Sequence, residues 1–149
     1  MELFALDEAR RLFLSPAIDN WSALEAAGIS TVIDLEGGLD HGVPTRSNHL
    51  LYVYFPIEDA GLPDLARLHA VAALGAHLVT AEHTVLSHCG MGYNRSALVA
   101  GLILTYLGWS GADAVTLLRR KRPGALFNET FATYLQTCPM AKEYVNFSR

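Results

Sequence analysis

The chain has 149 residues, of which 51% are hydrophobic and 17% charged, and it carries a formal net charge of −4. That length suits one domain, expected over 1–149, and that composition excludes a disordered chain. The acidic balance argues against nucleic-acid partners and a basic membrane-binding face, and two cysteines, Cys89 and Cys138, are too few for a disulfide framework.

Leu12 to Leu14 reads as a first strand. Asn20 or Ser22 can cap a short helix through Ala27, which Gly28 ends. Thr31 to Leu35 is β-branched and apolar, a buried strand, and the polar, Gly- and Pro-bearing residues 37–48 form a surface loop. Leu51 to Phe55 is another strand, followed by a loop over 56–63 that contains Glu58 and Asp59. From Pro63, which suits a first helical turn, apolar residues recur at helical spacing to about Thr80. Residues 84–88 read as a strand, and Ala97 to Leu107 as a helix stopped by Gly108. Ser110 opens a helix ending near Arg122, before Pro123, and Asn128 can cap one bearing Phe131 and Leu135. The tail from Pro139 suggests one short helix. Strands alternating with helices predict an α/β fold: a central, mostly parallel sheet of four to five strands flanked by helices on both faces. No signal peptide and no run of about 18 apolar residues is present, so a cytoplasmic location without a membrane partner is expected.

The chemistry concentrates in residues 88–96, HCGMGYNRS. Here a cysteine at the end of a strand begins a Gly-containing loop that opens a helix. Successive N–H groups in such a loop form a nest, and the helix N-terminus adds positive potential. Gly90 and Gly92 let the backbone curl close to an anion, and Met91, Tyr93 and Asn94 complete the loop and shape its rim. Arg95 offers a planar fork able to grip two oxygens. A thiol at a helix N-terminus beside a cation ionises readily, so Cys89 reads as a nucleophile under an oxyanion cradle. The bland alternative is an inert buried cysteine beside a surface arginine.

This segment resembles the C-x5-R-S/T signature, or phosphate loop, of cysteine-based phosphatases. The chain around it is similar to a small, atypical dual-specificity phosphatase. Leu24 to Leu35 resembles the helix, Gly-Ile and strand that open that domain. Arg122-Pro123 with Asn128 and Phe131 resembles its tail, packed behind the catalytic helix. The resemblance implies hydrolysis of phosphoesters through a phosphocysteine, with Cys89 as nucleophile and Arg95 on the phosphate. Ser96 would hydrogen-bond the thiolate, and His88 would fix the loop and tune Cys89 through hydrogen bonds. It also implies an acid from a loop about thirty residues before the cysteine. Asp59 is the choice, Asp64 the second, since its place suits a helix start, and Glu58 the third. No cofactor and no metal are called for, and the other histidines show no ligand spacing. Asp34, at a strand end, reads as structural, and Cys138 as a small packing residue.

The expected substrate is a phosphorylated protein or a small phosphoester. The chain's size leaves little room for the loop that deepens tyrosine-specific pockets, so phosphoserine and phosphothreonine join phosphotyrosine as candidates. Uncharged residues within the loop weigh against a phosphoinositide. The alternatives are a phosphoinositide phosphatase, a non-catalytic phosphate-binding docking module and, with a poorer loop resemblance, a sulfurtransferase. Oligomeric state stays open.

Overall fold

The apolar runs at 12–14, 31–35, 51–55 and 84–88 all form strands, and each helix anticipated before residue 138 is present. The structure is a computed structural model that describes residues 1–138, so the helix suggested beyond Pro139 lies outside the described residues. The elements are β1 (Phe4–Ala5), β2 (Leu12–Ser15), α1 (Trp21–Ala26), β3 (Thr31–Asp34), β4 (Leu51–Tyr54), α2 (Leu65–Thr80), β5 (Val85–His88), α3 (Arg95–Tyr106), α4 (Gly111–Lys121) and α5 (Glu129–Thr137).

The sheet runs β1-β2-β5-β3-β4, with β1 antiparallel and the rest parallel. β1 was not foreseen, because two residues carry no periodicity. It pairs Phe4 with Leu14 and Ala5 with Phe13 and covers the β2 edge. The turn between them closes when the Asp7 carboxylate accepts the N–H groups of Arg11 and Leu12, both at 2.9 Å.

Side chains alternate along each buried strand. Leu12, Leu14, Ile33 and Val85 face the core built by α2, α3, α4 and α5. Phe13, Val32 and Leu86 face the other way, onto Leu24 of α1 and Ile29. Helices therefore cover both faces, as expected, but unequally: α1 supplies six residues on one side and α2 and α3 supply long helices on the other. Helix α3 is the central one, with ten of its twelve residues buried. Pro63, expected in the first turn of α2, instead precedes the cap. Asp64 is the N-cap and accepts the Arg67 N–H at 3.0 Å, because a carboxylate satisfies an end N–H that proline cannot.

β5 lies in the middle of the sheet, and its register with its neighbours sets the site. Ser15, His88 and Asp34 are level across β2, β5 and β3. Whatever follows these residues gathers at one carboxyl edge, where open α/β sheets bind ligands.

Candidate active site

Cys89 follows β5 directly and is 2% exposed. Its sulfur lies 3.3 Å from the Ser96 hydroxyl, and the Gly92 N–H donates to it at 3.3 Å. The thiol donates to the Ser96 hydroxyl, and the sulfur accepts from the Gly92 N–H. Gly92 has φ +75°, and a Cβ there would come within 2.8 Å of the Pro16 nitrogen. The loop thus curls where only glycine is unstrained and where β2's exit leaves no space. A Cβ on Gly90 would collide with the Glu36 carboxylate.

Helix α3 begins at Arg95, and among the described helices it alone has no side-chain cap. Asn20, Asp64, Ser110 and Asn128 each accept an N–H at the start of their helices, whereas Asn94 does not. The Asn94 side chain is engaged elsewhere, so the first-turn N–H groups of α3 stay available to an anion at the nest. Asn94 was expected on the rim, but it is 2% exposed. Its amide donates to Asp59 Oδ2 at 2.9 Å and its oxygen accepts the Asn128 N–H at 2.9 Å. Met91 does stand on the rim, 67% exposed.

Glu36, just past the end of β3, holds Arg95, with Nη2 to Oε2 at 2.9 Å and Nη1 to Oε1 at 3.3 Å. Arg95 Nε is buried without a partner among the described residues. Glu36 occupies the end of the fork, so the side edge of Nε and Nη2 is left for phosphate oxygens. Burial would lower the Arg95 pKa. The Glu36 hydrogen bond and the charges of Cys89, Glu36 and Asp59 outweigh it, so the pKa is raised and the cation is secure. Burial would raise the Glu36 carboxyl, but Arg95 and the N–H groups of Gly37 and Gly90 hold it below its ordinary range. Sequence reasoning missed Glu36. The signal was register: Asp34 pairs with His88, so Glu36 falls beside Gly90.

His88 is fully buried on the α1 side of the sheet, since it shares strand parity with Leu86. Its Nε2 meets Asp40 Oδ2 at 2.7 Å and Asp34 Oδ1 at 3.4 Å, while Nδ1 has no partner among the described residues. Among the described residues, the His88 side chain makes its contacts to these two carboxylates. The Tyr52 hydroxyl donates to Asp34, and Asp40 N–H donates to Tyr52 at 3.0 Å. Burial raises the Asp34 carboxyl pKa, opposed by the Tyr52 and Glu36 hydrogen bonds. Burial, with Asp34 adding to it, raises the Tyr52 phenol as well. Asp34, read from the sequence as structural, is fully buried in this network, and Asp40 joins it from a loop with no sequence signal.

Of the three acid candidates, Asp59 reaches the phosphate loop through Asn94, and Asn128 Nδ2 donates to its other oxygen at 2.8 Å. Asp64 is committed to capping α2 and lies 3.6 Å from Arg67 Nε. Glu58 and Asp64 line a separate open groove with Arg67 and Leu62. Arg122 donates to the Met91 carbonyl at 3.0 Å and stacks 3.9 Å from the Tyr93 ring. Tyr93 in turn meets Phe127 with ring centroids 5.9 Å apart. Cys138 is the C-cap residue of α5 and packs against the core.

Residues 9–112 match the family model described as "Tc-R-P: Polymorphic toxin system, DSP-PTPase phosphatase". Among solved structures the chain is similar to human DUSP28, at 24% identity and TM-score 0.78 over 96% of this chain and 94% of that one. It is similar to the human tyrosine phosphatase-like serine/threonine/tyrosine-interacting protein, at 20% identity and TM-score 0.73, covering 96% of each. The Yvh1 phosphatase domain from Chaetomium thermophilum follows at 19% identity and TM-score 0.71, over 91% of this chain and 94% of that domain. No curated protein matches.

Proposed function

The chain belongs to the DSP-PTPase phosphatase family of polymorphic toxin systems, and on that premise we propose that it hydrolyses phosphotyrosine in proteins, with phosphoserine and phosphothreonine as slower substrates. The Cys89 thiolate attacks phosphorus in line, and the leaving oxygen takes a proton from Asp59. Phosphocysteine results. A water then attacks it, giving its proton to the Asp59 carboxylate, and the Ser96 hydroxyl stabilises the sulfur as it departs. The Nε–Nη2 edge of Arg95 and the N–H groups of the nest hold the equatorial oxygens throughout, matching charge that shifts in the transition state.

The observation that carries this reading is the uncapped N-terminus of α3 beside a buried cysteine whose sulfur accepts the Gly92 N–H and bonds the Ser96 hydroxyl. The preference for an aromatic phosphoester rests on the rim. Met91 and Phe127 are 67% and 66% exposed beside Tyr93, and residues 90–94 carry no charge to meet further phosphates. Hydrolysis of phosphotyrosine, phosphoserine and phosphothreonine peptides, phosphoinositides and p-nitrophenyl phosphate by the purified protein tests it. Turnover should fall in the order phosphotyrosine, then the other peptides, then the lipids. Tight vanadate binding without phosphate release from any substrate overturns the enzyme in favour of a docking module.

A further inference from the structure

Asp59 stands on an exposed loop, where a short carboxylate ordinarily samples several rotamers in water. Here it does not stand alone. Asn94 Nδ2 donates to Oδ2 at 2.9 Å and Asn128 Nδ2 donates to Oδ1 at 2.8 Å, so both oxygens are held. Neither amide can turn round. Asn94 Oδ1 accepts the backbone N–H of Asn128 at 2.9 Å, and Asn128 Oδ1 accepts that of Phe131 at 3.2 Å. A flip of either would set an oxygen against the carboxylate and an NH2 against an N–H. Asn128 also donates to the Ala60 carbonyl at 3.1 Å, binding the acid loop's backbone to the start of α5.

We propose that Asn94 and Asn128 form an amide clamp that aims the Asp59 carboxylate at the leaving-group oxygen, making both positioning residues for proton transfer. Each has another duty that its chemistry would suggest first. Asn94 forgoes capping α3, and Asn128 caps α5 with its oxygen and uses its nitrogen on Asp59. The clamp links the phosphate loop, the acid loop and α5, so the acid is placed relative to the nest that holds phosphorus. A misplacement of about 1 Å can cost roughly 10²-fold in rate, which sets the scale of what such a clamp protects. The proposal rests on the reading of Asp59 as the general acid.

Asn128→Ser separates the clamp from the cap, because serine caps helices about as well as asparagine but cannot reach Asp59 with an N–H. The measurements are kcat/KM on a phosphotyrosine peptide and on p-nitrophenyl phosphate, vanadate affinity and the thermal midpoint, for wild type, Asn128→Ser, Asp59→Asn and the double variant. The clamp predicts a normal midpoint and vanadate affinity for Asn128→Ser, with kcat/KM down at least about tenfold on the peptide and much less on p-nitrophenyl phosphate. It further predicts that Asn128→Ser costs nothing more once Asp59 is asparagine. Equal deficits on both substrates, or additive losses in the double variant, overturn the clamp while leaving the acid assignment intact. A uniform deficit for Asp59→Asn itself overturns that assignment, and the clamp with it.

Discussion

At the residue scale, three groups carry separable roles. Cys89→Ser should retain vanadate binding, since the nest and Arg95 remain, yet lose turnover; equilibrium binding beside steady-state rates checks both halves. Arg95→Lys should lose far more than conserved charge suggests, because an ammonium cannot engage Glu36 on one edge and phosphate on another. A drop of 10²-fold or more in kcat/KM is the expected order. Glu36 adds a pH signature. Its folded carboxyl is held below its ordinary value of 4.5, so the Arg95 pair contributes fully above that pH. That contribution is lost as pH falls through the lower folded value. Glu36 is 37% exposed and screened, so the pair is worth under about 1 kcal/mol. Denaturant titrations of wild type and Glu36→Gln should therefore differ modestly at pH 7 and converge in acid.

At the element scale, the register of three parallel strands does the assembly. Ser15, His88 and Asp34 are level, so Pro16, the phosphate loop and Glu36 meet without long connections. Helix α5 matters because its capping residue also touches Asp59, and α5 docks on α4 through Gly111. A Cβ on Gly111 would overlap the Leu135 carbonyl. Helix propensity favours alanine over glycine by about 1 kcal/mol, but here the collision is with backbone and cannot be relieved by a rotamer change. Gly111→Ala should consequently destabilise by about 1–3 kcal/mol in denaturant unfolding, and it should weaken peptide turnover by shifting Asn128.

At the scale of the whole molecule, the site is part of the folded structure, so occupying it should stabilise the chain. Vanadate at one hundred times its Kd adds about 2.7 kcal/mol. For a chain of this size that corresponds to a rise in Tm of roughly 5–10 °C, measurable by calorimetry. Arg95→Lys should show little of that rise at the same concentration.

Local pattern determined the elements and marked out the proposed nucleophile. β-branched apolar runs and capping residues fixed the strands and helices between residues 12 and 137, and the order Cys89, loop, Arg95, Ser96 stood in one unbroken segment. Those features are contiguous, and contiguous chemistry is legible in a chain. β1 escaped because two residues have no period and need the β2 edge to exist. Glu36, Asp40 and the two amides on Asp59 come from segments up to 69 positions away, brought together by sheet register and by the docking of α5. No spacing rule links Asn128 to Asp59, nor does one turn Asn94 away from the cap it would ordinarily make. Only the tertiary structure decided those, because hydrogen bonds between distant segments depend on where packing places their backbones.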